Sequence, residues 1–180
     1  MGNSALDAIL SQYEKNTEKS SKVKISNEDR LKKYFTEKLQ KGDKSATRTF
    51  RILPGKDGNS PFDEAYFHEK QVNGKYEKIY CPKLNDGEHC PLCEVSDELF
   101  KSWKETGNKA DKELATQYSA KKFYLARLID RSKEDDGVKF WRFPHNYKGE
   151  GALDKIIPLF TKRGDITDPR EGRDVTLILP

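Results

Sequence analysis

The sequence predicts an α+β protein, mainly β with inserted helices, built as a small, partly open β-barrel that carries a metal-binding subdomain. Three observations lead there. Short alternating runs such as Thr47-Arg48-Thr49-Phe50-Arg51-Ile52-Leu53 recur between Gly- and Pro-rich breaks. A mid-chain stretch changes to helical spacing, with Val95, Leu99 and Trp103 on one face. Every cysteine of the chain falls in one array with a histidine, His68-x12-Cys81-x8-Cys90-x2-Cys93.

Taken in order, residues 1–26 are rich in Ser, Lys, Asn and Glu and read as an N-terminal arm. Their apolar set, Leu6, Ile9, Leu10 and Tyr13, recurs at the spacing of a short amphipathic helix that would bury its face on a partner. The core domain is expected over 27–180. Asn27 suits a helix cap, Glu28 and Asp29 its first turn, and Leu31, Phe35 and Leu39 a stripe ending before Gly42. The strand Thr47–Leu53 stops at Pro54-Gly55. Strands over Asp63–Glu69 and Lys75–Tyr80 flank Asn73-Gly74, a dipeptide that favours a hairpin turn. The Cys-x2-Cys knuckle opens a helix that breaks at Gly107-Asn108, and a second helical stretch runs through Leu114 and Tyr118. Lys122–Ile129 and Val138–Phe143 are β-rich runs on either side of the charged loop Asp130–Gly137 and should pair as an antiparallel hairpin. Ala152–Phe160 is weakly helical and expected to end near Pro158. Asp174–Leu179 starts as a strand, and a β-domain ending on its last strand residue reads as a truncated product. Short strands with a helix and a metal subdomain at about 63–120 inserted between them suggest the five-stranded OB-fold.

The Cys/His array reads as one closed zinc site. Zinc takes four soft or borderline ligands in a tetrahedron, and a Cys-x2-Cys turn supplies two thiolates from one short segment. The hairpin then delivers His68 beside Cys81. His89, next to Cys90, is the alternative fourth ligand, but neighbours on one backbone seldom point at the same ion. Unrelated buried thiols would not cluster in this way, and an odd number of cysteines disfavours a disulfide. Four protein ligands leave no open position, so the metal is expected to be structural and not a Lewis acid.

Composition sets the remaining bounds. In 180 residues, 36% are charged and 34% hydrophobic, and the mean hydropathy is −0.95. No apolar run approaches the roughly 18 residues of a membrane span, so the expected location is cytoplasmic, with no membrane partner. The net charge of +4 is modest; residues 1–60 hold thirteen Lys and Arg against eight Asp and Glu, and the rest is near neutral. A binding groove must therefore come from folding basic residues onto one face. Gly-rich phosphate loops, His-Glu-x-x-His and Gly-x-Ser-x-Gly are all absent, so no enzyme is expected. Asp135-Asp136 belongs to a solvated loop.

Aromatic residues make up 11% of the chain and interleave with bases in Phe50-Arg51-Ile52, in Tyr118 to Tyr124 and in Phe140-Trp141-Arg142-Phe143. Unpaired bases stack on flat side chains while Lys and Arg follow the phosphates, so the mixture fits single strands. Alternation sends about half of these aromatics into a core. Of Phe140 and Trp141 one must face inward, and Trp141 is assigned to the groove.

These residues resemble the single-stranded DNA-binding, helix-destabilising proteins of T-even-type bacteriophages. The resemblance rests on the zinc spacing, Arg51-Ile52-Leu53-Pro54, Asn73-Gly74-Lys75 and the Tyr118-to-Arg142 segment, over roughly residues 27–179. It implies an OB-fold with an inserted zinc subdomain and cooperative coating of single strands during phage replication, recombination and repair in an infected bacterial host. The implied ligands are His68, Cys81, Cys90 and Cys93, and the implied DNA-facing residues are Arg51, Phe100, Tyr118, Lys121, Lys122, Phe123, Trp141 and Arg142. Self-association along the strand and contacts with replication and recombination proteins would follow. The family's knuckle tyrosine is replaced by Asn85-Asp86-Gly87-Glu88, and Lys19-Ser20-Ser21-Lys22 is the nearest match to the basic element of its arm. The rival readings are a zinc-stabilised protein-interaction module and an RNA-binding module using the same stacking surface.

Overall fold

The computed structural model of the chain describes residues 29, 32–36, 39, 44–72 and 75–179. The chain divides into two units, Met1–Leu31 and Lys32–Pro180, and the fold described is that of the second. The expected arm over 1–26, with Lys19–Lys22, lies outside the described residues.

The strands are, in chain order, β1 (Tyr34–Phe35), β2 (Ala46–Ile52), β3 (Phe62–Val72), β4 (Lys75–Tyr80), β5 (Ala120–Asp130), β6 (Val138–Pro144) and β7 (Val175–Leu179). They form one mixed sheet along the path β1-β6-β5-β2-β7, with β3 on β5 and β4 on β3. Among the described residues only the β1–β6 pair is parallel; the other pairs are antiparallel. Strand β5 organises the sheet because it serves two partners along one edge: β3 as far as Ala126, then β2 from Leu128. Its other edge takes β6, as the charged-loop hairpin predicts. Among the described residues no pairing closes the sheet, so the architecture is an open mixed sheet with helices.

Directly paired residues point to the same face, so the registers sort the sheet into two faces. Tyr124, Ala126 and Leu128 of β5 share theirs with Trp141 and Phe143 of β6. With Phe50, Ile52, Phe62, Ile156, Ile166 and Val175 they form the core. The rings pack closely, with Trp141 and Phe143 centroids 4.3 Å apart and Phe50 and Trp141 5.1 Å apart. The groove assignment of Trp141 is therefore wrong: the side chain is 1% exposed, opposite Ala126, and its neighbour Phe140 is the outward residue. Strand alternation requires one of the two to be core, but only register decides which.

The helix expected through Leu31, Phe35 and Leu39 is cut short. Asp29 and Lys32–Lys33 are helical, but Tyr34–Phe35 then pair with Phe140 and Trp141. Phe35 gains a buried place against Phe50 and Trp141, at 5.0 and 5.8 Å between ring centroids, which overrides helical periodicity.

The helices past the strands are α1 (Pro82–Asp86), α2 (Pro91–Thr106), α3 (Lys109–Tyr118) and α4 (Ala152–Arg163). α2 ends at Gly107, whose φ of 74° is the left-handed cap conformation that glycine adopts without cost. Asn108 caps α3 by accepting from the Ala110 N–H at 3.1 Å. α4 runs past Pro158 to Arg163, five residues beyond its expected end. The missing proline N–H costs one helical bond, but Leu159 and Phe160 pack on the core, the latter 6.2 Å from the Phe62 ring. Among the described residues, no helix is long and apolar enough to cross a membrane.

Candidate metal centre and nucleic-acid interface

The four predicted ligands meet at one buried point. β3 carries His68, β4 leads directly into Cys81, and Cys90 caps α2 with Cys93 in its first turn. All four are buried, and their ligand atoms lie within 4.8 Å of one another. Cys81 Sγ is 4.0 Å from Cys90 Sγ and 3.5 Å from Cys93 Sγ. His68 Nε2 is 3.3 Å from Cys90 Sγ and 3.8 Å from Cys93 Sγ. A tetrahedron built on ordinary zinc bond lengths has S–S edges of about 3.8 Å and S–N edges of about 3.5 Å. The donor set therefore fits a four-coordinate metal ion and is too open for a disulfide; all three cysteines are free thiols.

The chemistry of the set points the same way. Burial and the neighbouring thiols push Cys93 up to about 12. Burial also opposes ionisation of Cys90, but the Cys93 and Leu92 N–H groups at the start of α2 outweigh it and hold Cys90 below the ordinary thiol range. Without a cation the set favours ionisation of Cys90 over Cys93; thiolate ligation by all three would call for a positive ion among them. His68 Nδ1 donates to the Tyr118 carbonyl at 2.7 Å, since a carbonyl only accepts, and this leaves Nε2 free to coordinate. His89 is exposed and paired with Glu94 at 2.8 Å, which leaves the fourth position to His68.

A residue that the spacing did not reveal holds this lobe to the sheet. Asn85 on α1 accepts from the Tyr66 N–H at 2.9 Å and donates to the carbonyls of Tyr66 at 2.9 Å and Cys81 at 2.7 Å. Cys81 is only four residues back, at the N-cap of α1, but Tyr66 comes from β3, so the sequence around Asn85 gives no local sign of the role.

The sheet face opposite the core is aromatic and basic. Phe67 of β3 is opposite Tyr80 of β4 and Lys121 of β5, which puts all three on one level. Phe67 contacts Tyr80 at 6.0 Å and Phe123 at 5.7 Å between centroids, both edge to face. The Arg142 guanidinium lies 5.1 Å from the Phe67 ring, and Lys78 Nζ lies 4.0 Å from the Phe123 ring. Tyr34 and Phe140 extend the same face at 6.3 Å from each other. Such a surface can stack flat rings and pair with anions.

The residues expected to face DNA divide over several places. Lys121, Phe123 and Arg142 share this face, although Phe123 is buried beneath Lys78 and Phe67. Arg51 points the same way but donates to the Asp168 carbonyl at 3.0 Å and pairs with Asp174 at 3.5 Å. Lys122 is on the core side of β5 and pairs with Glu64 at 2.6 Å. Tyr118 ends α3 beneath the Lys70 ammonium. Phe100 and Trp103 line an open cleft of about 510 Å³ on α2 with Asp97, Lys101 and Lys104. Trp141 is in the core. Phe67, Tyr80, Lys78, Tyr34 and Phe140 were missed, and only the period-two pattern of β3 and β4 could have grouped the first three.

Comparison with curated proteins finds no match. A family model described as gp32 DNA binding protein like matches residues 44–178, which takes in β2 through β6, all but the last residue of β7 and all four candidate ligands. That match covers most of the chain, and so the protein belongs to the gp32-like family of DNA-binding proteins.

Proposed function

We propose that the protein binds single-stranded DNA without sequence preference and coats it during phage replication, recombination and repair in the host cytoplasm. The observation that carries this reading is the Phe67–Tyr80–Phe123 cluster with Arg142, Lys78 and Lys121 around it on one sheet face. Bases stacked there and phosphates paired with the cations require neither a particular base nor bond chemistry. Family membership supports DNA as the ligand. Duplex melting then follows by mass action, because a protein that prefers separated strands draws the helix–coil equilibrium toward them.

Zinc is the proposed metal at His68, Cys81, Cys90 and Cys93, in a structural role, on the strength of the edge lengths and the three thiols. It would fix α1 and α2 against β3 and hold Tyr118 through His68. An OB-type barrel is the proposed parent of the open sheet. Self-association along the strand, through the arm over 1–26, is part of the same proposal.

Fluorescence anisotropy with labelled oligo-dT and with a hairpin duplex of matched length, at two salt concentrations, tests the reading. Tighter binding to oligo-dT is expected, with a log–log salt slope of about −0.7 per phosphate neutralised. Equal or tighter binding to duplex, or affinity independent of salt, refutes it.

A further inference from the structure

A carboxylate stands in the middle of the aromatic and basic face. Glu69 is two residues from Phe67 on β3 and opposite Lys78 of β4. Its two oxygens are divided between two cations: Oε1 takes the Lys78 ammonium, and Oε2 accepts from Lys121 Nζ at 2.7 Å. Burial works against the charge on Glu69, yet the hydrogen bonds from Lys121 and Lys78 outweigh it and hold the carboxyl below its ordinary range. Lys78, held this way, is also the cation over Phe123, whose ring is 3% exposed. One side chain thus occupies two of the face's lysines and keeps one of them across a stacking ring.

We infer that Glu69 is a latch on the binding face: its carboxylate takes the place of a phosphate between Lys78 and Lys121, and a single strand must displace it to reach both cations and the Phe123 ring. The inference rests on the strand-binding reading above. Carboxylate and phosphate compete for the same ammonium donors, and partly exposed Lys–Glu pairs contribute little to folding, so opening the latch costs little stability. The latch lowers affinity, and it favours a polyanion able to engage both lysines together over isolated small anions.

The test compares Glu69→Gln with Glu77→Gln. Glu77 is exposed on the opposite face of β4, so its variant makes the same change in net charge away from the latch. With oligo-dT, Glu69→Gln should bind about three- to tenfold tighter than the parent. Its salt slope should steepen by about 0.7 for each additional phosphate engaged. Glu77→Gln should gain much less, and in a Lys78→Ala/Lys121→Ala background Glu69→Gln should gain nothing. Glu69→Asp keeps the charge but shortens its reach, and tighter binding by this variant supports the latch even where Gln lowers the melting temperature. Unchanged or weaker binding by both Glu69 variants overturns the inference, as does a gain no larger than that of Glu77→Gln. A parent protein that fails to bind oligo-dT refutes the strand-binding reading itself, and is told apart from a failed latch by that absence of binding.

Discussion

Single side chains carry most of the chemistry, and they differ in how they can be tested. Cys90 both donates to the candidate metal and starts α2, so Cys90→Ala should lower the melting temperature by on the order of 10 °C and weaken oligo-dT binding with it. An unchanged melting curve would remove the metal from the structural argument. Tyr80 is 48% exposed on the face with Phe67, which makes it the cleaner stacking probe. Tyr80→Ala should cost about 1–3 kcal/mol of binding, read by anisotropy, with only a small drop in melting temperature from the lost contacts with Phe67 and Asp86. Arg142→Ala should weaken binding at low salt most and flatten the salt slope by about 0.7. The four ligands were legible because spacing and residue type are written in the chain. Asn85 and Glu69 were not, since Tyr66 is brought to Asn85 by β3, and Lys78 and Lys121 to Glu69 by β4 and β5.

At the scale of elements, α1 and α2 depend on the ligand cluster in a way the strands do not. They meet β3 where Asn85 and the Cys81 N–H bond Tyr66 and where His68 lies beside Cys90 and Cys93, so removing metal with a chelator should loosen this segment before the sheet. Hydrogen exchange is expected to rise first between Cys81 and Trp103 while β5 and β6 stay protected. β7 is tied differently. Asp174, just before it, pairs with Arg131 at 2.9 Å and with Arg51 at 3.5 Å. The hydrogen bond from Arg131 holds the Asp174 carboxyl below its ordinary range. A depressed carboxyl stabilises the fold above its unfolded pKa of about 3.9 and loses that contribution as pH falls through its folded value. Asp174→Asn should therefore melt about 1–3 °C lower than the parent at neutral pH, a small effect because the pair is solvent-screened. The difference should close as pH falls through the depressed folded-state value of Asp174; a gap that persists once the carboxyl is protonated in both states would assign it to packing instead. Most of these elements were legible from alternation and turn residues. Two departures, Tyr34–Phe35 and the length of α4, come from aromatic side chains, Phe35 and Phe160, that find tertiary partners; a third is the short helix α1, which is too brief to show a periodicity.

For the whole molecule, the two tryptophans should report on different regions. Trp141 is sealed among Phe35, Phe50 and Phe143, whereas Trp103 lies in the open cleft on α2 beneath Lys112. Any fluorescence quenching by oligonucleotide should therefore come from Trp103 and vanish in Trp103→Phe; quenching that survives would show that strand binding reaches the core. The sequence by itself determined the α+β class, the order of the strands from β2 onward and of the longer helices, and the identity of the four candidate metal ligands, because periodicity, turn chemistry and ligand spacing are properties of neighbouring residues. Only the tertiary structure decided which aromatics face solvent. That follows from the register of β3, β5 and β6, where a shift of one residue would exchange Phe140 with Trp141 and send the basic face inward.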